Sequence, residues 1–147
     1  MYWLNADPEV IKYTGDLPFK DVAQSLELIR NYDQYEKYKM GRLTVNVKET
    51  KEVIGWCGLK YHENTDEVDI GYRLKKSAWG KGYATEAAKV CLKDGFERLK
   101  LKTIVGHAMK DNHASINVFK KLGMKYVKDF VCGGQPSVFY QIDDPRT

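Results

Sequence analysis

The chain has 147 residues, 43% of them hydrophobic and 30% charged, which allows one domain with a substantial core and argues against both disorder and a membrane span. Twenty-four Lys and Arg against twenty Asp and Glu leave a net charge of +4, enough to suit an anionic ligand and too little, too dispersed, for a nucleic-acid surface. Cys57, Cys91 and Cys132 are odd in number with no CxxC pair, and no signal peptide opens the chain; both point to reduced thiols in a cytoplasm. His62, His107 and His113 lack metal-ligand spacing, so no metal is expected.

In chain order, Asp7-Pro8-Glu9 reads as a helix start with proline at its first position, and Gly15 and Pro18 break the chain after it. Residues 20–39 read as a helix, Val22, Ala23, Leu26 and Ile29 being followed by Tyr32, Tyr35 and Tyr38 at i+3 steps. Those tyrosines suit packing with exposed hydroxyls. Strands follow over 42–48 and 52–61, joined by Glu49-Thr50-Lys51, with Gly55 and Gly58 marking a bulge or close contact in the second.

The stretch 67–88 reads as strand, basic loop, glycine turn and helix. Val68, Ile70, Tyr72 and Leu74 alternate with Glu67, Asp69, Gly71 and Arg73, the period of a two-faced strand. Ala84, Ala87, Ala88, Cys91, Leu92, Gly95, Phe96 and Leu99 then recur with helical period; Cys91 on that stripe reads as core. Between them lies Trp79-Gly80-Lys81-Gly82-Tyr83-Ala84-Thr85, with small residues that admit a ligand close to the backbone. The first N–H groups of a helix lack intrahelical partners and carry its positive dipole end, so a glycine turn entering a helix suits phosphate. Lys75, Lys76 and Lys81 add charge. A Walker loop is excluded because Lys81 is followed by Gly82, and a Rossmann fingerprint because Thr85 holds the third glycine position and 100–102 lacks the acidic residue.

Downstream, 103–110 is β-rich, 112–122 reads as a short helix ended by Gly123, and strands over 124–131 and 137–142 flank a turn at Gly133-Gly134-Gln135-Pro136. The order describes an α/β domain with a mixed sheet, without repeats or linkers.

Trp79-Gly80-Lys81-Gly82-Tyr83-Ala84 resembles the (Q/R)xxGx(G/A) turn of the GNAT acetyltransferases, acyl-CoA-dependent N-acyltransferases, with Trp79 in the Gln/Arg position. Asn112-His113-Ala114-Ser115 with Lys121-Leu122-Gly123-Met124 resembles the NxxS and KLGF elements of the branch that includes the ribosomal-protein N-terminal acetyltransferases. Residues 4–16 resemble that branch too, where they normally follow a first strand that is missing here. The resemblance implies a single domain over 1–147, a mostly antiparallel sheet flanked by helices, and an uncapped sheet edge through which a homo-oligomer would form.

It also implies transfer from acetyl-CoA, as co-substrate, to a primary amine on a protein N-terminus or small molecule, with neither nucleic acid nor membrane as partner. CoA's pantetheine arm would run between strands 67–74 and 103–110 on the main chain of Tyr72, Arg73 and Leu74. Its pyrophosphate would sit on Trp79, Gly80, Lys81, Gly82, Tyr83, Ala84 and Thr85, while Asn112 contacts the arm and Phe119 packs against it. The tyrosine-bearing region 20–39 would border the acceptor cleft.

Asp69, where relatives often carry Glu, is the candidate base acting through water, with Glu67 and Glu63 as substitutes and hairpin ion pairing as its structural alternative. Many relatives carry a tyrosine as general acid where this chain has Phe119, so Ser115 is the candidate donor, or else a hydroxyl capping its own helix. A weak or inactive CoA-binding domain with a regulatory or interaction role, and a purely structural use of the glycine turn, remain as alternatives.

Overall fold

Asp7 and Pro8 start a helix as their types dictate. In the computed structural model, which describes residues 4, 6–12 and 33–146, α1 (Pro8–Ile11) carries proline at its first turn, and the Asp7 carboxylate accepts from the Glu9 N–H at 3.0 Å. Of the helix expected over 20–39, positions 20–32, with Tyr32, Val22, Ala23, Leu26 and Ile29, lie outside the described residues, as do Gly15 and Pro18. The described part forms α2 (Gln34–Tyr38) only, because Asp33 stands before it as a non-helical N-cap with φ −114°.

Six strands follow: β1 (Arg42–Asn46), β2 (Val53–His62), β3 (Glu67–Leu74), β4 (Thr103–Met109), β5 (Lys125–Cys132) and β6 (Gln135–Asp143). Helix α3 (Tyr83–Glu97) connects β3 to β4, and α4 (His113–Lys121) connects β4 to β5. The sheet order is β1-β2-β3-β4-β6-β5, and every neighbouring pair is antiparallel except β3 with β4. The expected bulge lies in β2, where Val45 faces Gly55 and Asn46 faces Val53, leaving Ile54 as the extra residue. The last hairpin is tighter than expected. Two glycines suffice for its turn, so pairing begins at once with Cys132 opposite Gln135, and Pro136 belongs to β6.

Among the described residues β1 ends the sheet with β2 as its only neighbour, and Leu43 is exposed on it. Past the start of β1, the edge of β2 is sealed by a side chain. The Gln34 amide, 8% exposed, accepts from the Tyr61 N–H at 3.0 Å and donates to the Tyr61 carbonyl at 3.2 Å, as a strand residue would.

The alternation in β3 sorts the two faces. Val68, Ile70 and Leu74 are buried, and the first two join Cys57, Leu59, Ala88, Cys91, Leu92, Phe96, Ile104, Phe119 and Tyr140 in the main core under α3 and α4. Small residues on α3 let it lie close, Ala88 being fully buried. The opposite face is covered in part by Leu4, Val10 and Ile11, which pack with Trp56; each such burial contributes roughly 1.5–3 kcal/mol. Cys57 and Cys91 are free thiols in the core and Cys132 is exposed. Among the described residues no helix is long and apolar enough to cross a membrane.

Candidate active site

β3 and β4 run parallel with one pair in register, Asp69 opposite Val105. Beyond it β3 continues to Leu74 and β4 to Met109 without further pairing, so the sheet forks. The Lys75 N–H donates to the Ile54 carbonyl at 2.8 Å, which fixes which residues of β3 turn their main chain to β2. By that alternation Tyr72 and Leu74 turn theirs toward β4 and the fork. Arg73, expected to share that role, turns its main chain toward β2 instead, and its guanidinium lies 5.6 Å from the Trp56 ring.

The mouth of the fork is closed by the glycine turn. A short 3₁₀ turn at Lys76–Ala78 leads into Trp79, 44% exposed, whose indole N–H donates to the Leu74 carbonyl at 2.8 Å and ties the turn to the end of β3. Gly80 and Gly82 have φ of +74° and +80°, in the left-handed region that favours glycine, and a Cβ on either would meet nothing within 4 Å. Backbone conformation, rather than crowding by the protein, therefore calls for glycine here. Gly82 caps α3 without a side chain, and the first helical bond runs from the Glu86 N–H to the Gly82 carbonyl at 3.1 Å. The N–H groups of Gly82, Tyr83, Ala84 and Thr85 thus have no intrahelical acceptor. Exposed Lys81 stands among them; the arrangement fits an anion.

The root of the fork carries a cluster that sequence spacing does not reveal. Asp69 Oδ2 accepts from His62 Nε2 at 2.8 Å and lies 3.9 Å from His107 Nδ1, while Glu67 Oε2 lies 3.9 Å from His107 Nε2. β2, β3 and β4 each supply a member, brought to one face by pairing and not by nearness in sequence. The hydrogen bond to Asp69 holds the His62 pKa above its usual value. Burial among Phe130 and Phe139, at ring distances of 5.5 and 5.0 Å, pushes that of His107 down. Glu63 accepts from the Tyr38 hydroxyl and sits apart from the cluster. Among the described residues no group of three or more His, Cys, Asp or Glu is arranged to hold a metal ion.

On the helical side of the sheet Ser115 is held from three directions. Its N–H donates to Asn112 Oδ1 at 3.2 Å, Asn112 Nδ2 donates to its Oγ at 3.1 Å, and the Tyr72 hydroxyl lies 3.0 Å from the same Oγ. Asn112 is thus the N-cap of α4, and Tyr72 brings to this helix start a phenol that spacing along α4 could not supply. Burial raises the Tyr72 pKa and keeps the phenol protonated. Phe119 is 3% exposed, over Gly106 of β4 and 5.5 Å from the Tyr140 ring. A separate pocket of 440 Å³ opens at the other end of β3 and β4, with Tyr38, Tyr61, Glu67 and Thr103 in its wall.

The chain as a whole is similar to known proteins. A family model described as an acetyltransferase (GNAT) domain matches residues 1–125. The uncharacterized N-acetyltransferase p20 of Bacillus licheniformis is 36% identical over 126 residues, covering 84% of this chain and 70% of that protein. A GNAT-family acetyltransferase from Bacillus anthracis superposes with a TM-score of 0.82 at 23% identity, over 97% of this chain and 86% of that one. Spermidine N-acetyltransferase from Vibrio cholerae, solved with CoA and spermine, gives 0.80 at 19%, over 97% and 86%. At such identities the two structures speak for the fold. The family match includes the fork, the turn and Asn112 to Phe119, and with it this chain belongs to the GNAT acetyltransferase family.

Proposed function

We propose that the chain is an N-acetyltransferase that moves an acetyl group from acetyl-CoA to a primary amine by direct attack within a ternary complex, in the branch of the ribosomal-protein N-terminal acetyltransferases. The observation that carries this reading is the fork between β3 and β4, closed at its mouth by a helix start with open N–H groups. A thioester arm extended along the Tyr72 and Leu74 main chain would reach the root, and its pyrophosphate would rest on Trp79 to Thr85, where Lys81 adds charge. Arg73 would act by charge and not by main chain. Asn112 and Phe119 would bound the arm from α4, the first by its N-cap amide and the second as a wall.

Asp69 is the base in this reading. The amine nitrogen attacks the carbonyl carbon, its proton goes to Asp69 directly or through water, and the C–S bond breaks. Ser115 passes a proton to the leaving thiolate as it takes one from the Tyr72 hydroxyl bonded to it, and water restores the phenol, a modest contribution because a thiol of pKa near 8.5 leaves readily without help. The acceptor is a protein N-terminus or a small amine. An α-amine, with a pKa near 8, sheds its proton far more easily than a lysine near 10.4. The Vibrio cholerae relative's spermine makes a polyamine the first alternative, which a net charge of +4 disfavours. The enzyme would work in the cytoplasm, and the exposed edge at β1 would pair with a second copy.

Release of free CoA thiol, measured with acetyl-CoA and a panel of free-N-terminus peptides and polyamines, tests the reading. Amine-dependent release is expected; release independent of any amine, or none, contradicts it. A CoA-binding domain with little catalysis is the second reading, favoured by the apolar Phe119 at the position where the family resemblance leads one to expect, in many members, a tyrosine. Tight acetyl-CoA binding without transfer would select it.

A further inference from the structure

Resting on Asp69 as the base, the geometry at the root of the fork assigns a role to a residue outside the family's motifs. We propose that His62 is a positioning residue for Asp69, whose Nε2–H holds Oδ2 and leaves Oδ1 as the oxygen open to the acceptor.

The argument starts from the register. β2 and β3 pair with Lys60 opposite Asp69 and His62 opposite Glu67, so the imidazole reaches its carboxylate diagonally across one face. Asp69 is also the last residue of β3 in register with β4, so the carboxylate being held stands where the strands part. The pair is half-buried, with side-chain exposures of 33% for His62 and 20% for Asp69. A fully exposed pair would hold little. Among the described residues Oδ1 has no hydrogen-bond partner, whereas Oδ2 has His62 at 2.8 Å. His107 is excluded from the same role because its Nδ1 stands 3.9 Å away, beyond hydrogen-bond reach.

The groups facing His62 are Asp69 and Glu67 from β3, Lys60 on its own strand, and His107 from β4 with ring centres 6.4 Å apart. Asp69 dominates them and raises the His62 pKa. Below that value His62 is a cation, and its ion pair with Asp69 opposes neutralisation of that carboxylate by the acceptor's proton. Above it the neutral N–H still orients Oδ2, without the opposing charge. The step therefore rises with pH, on top of the ionisation of the amine itself.

Two variants separate this role from a hairpin brace. His62→Gln keeps an N–H donor without a titrating charge, and His62→Leu removes both. Rates of transfer to a short peptide with a free N-terminal amine are compared from about pH 5.5 to about pH 9.5, and dividing the intact protein's rate by that of His62→Gln cancels the amine's ionisation. That ratio is expected to climb about three- to tenfold through the His62 titration, and His62→Leu to be about tenfold slower throughout. In parallel, the His62 ring is titrated by NMR in the intact protein and in Asp69→Asn, where its raised pKa should fall back. A ratio flat with pH, or a His62 titration indifferent to Asp69→Asn, overturns the role while leaving Asp69 as the base. Full transfer by Asp69→Asn, or none by the intact protein, overturns the underlying reading and the role together.

Discussion

The mouth and the root of the β3–β4 fork are built in opposite ways. The mouth is one contiguous run, Trp79 to Thr85, held open by two positive-φ glycines and offering main-chain N–H groups. The root is made of side chains from three strands, His62, Asp69 and His107, half-buried and set by register. A site made of main-chain N–H groups depends little on which side chains carry them, whereas a side-chain cluster depends on each of its members.

The largest expected effect lies at the root. Asp69→Asn should lower kcat about a hundredfold while leaving KM for acetyl-CoA within about twofold, because it removes a proton acceptor without touching the turn. Equal changes in both constants would erase the distinction between the two regions. Tyr72→Phe comes next. Losing the hydroxyl that meets Ser115 should slow transfer by about tenfold or less, with the loss smallest above the thiol's pKa near 8.5, as a rate profile against pH would show.

Smaller still is Trp79→Phe, which removes only the indole N–H bonded to the Leu74 carbonyl. It should cost about 1 kcal/mol of stability and change acetyl-CoA affinity less than about threefold. A larger loss of affinity would mean that the turn works through its side chain.

The smallest effect separates the two histidines at the root. Burial lowers the His107 pKa, so the stability it contributes is present above 6.5 and is lost as pH falls through its folded value. His62 is raised, so its contribution is complete below 6.5 and is lost as pH rises through its folded value. Thermal melts should show His107→Phe less sensitive to acid than the intact chain, and His62→Gln less sensitive to the change from acid to neutral pH.

The same contrast explains how much was legible. Alternation in Val68, Ile70, Tyr72 and Leu74 marked β3 end to end, and the stripe from Ala84 to Phe96 marked α3, because their periods are local. The turn was legible for the same reason, glycine being needed there by backbone angle. Asp69 could be put on the correct face by counting alone. Its partner His62 could not, because a diagonal contact across a hairpin depends on register. Nor could the Tyr72–Ser115 contact, which joins β3 to α4 across 43 positions of sequence. Main-chain direction likewise separates Arg73 from Tyr72 and Leu74 only once a hydrogen bond fixes the alternation.

Calorimetric titration of acetyl-CoA into the intact protein, Gly82→Ala and Gly82→Glu tests the central claim most directly. Both substitutions carry the strain of a φ of +80°, about 1–2 kcal/mol for a residue with a Cβ, and melting checks that each stays folded. Only the glutamate brings a negative charge to the open N–H groups of α3. Micromolar binding by the intact protein, mildly weakened in Gly82→Ala and lost in Gly82→Glu, is the expected result. Binding unchanged by the glutamate, or no binding to the intact chain, would contradict the assignment of this turn to the pyrophosphate and with it the transferase reading.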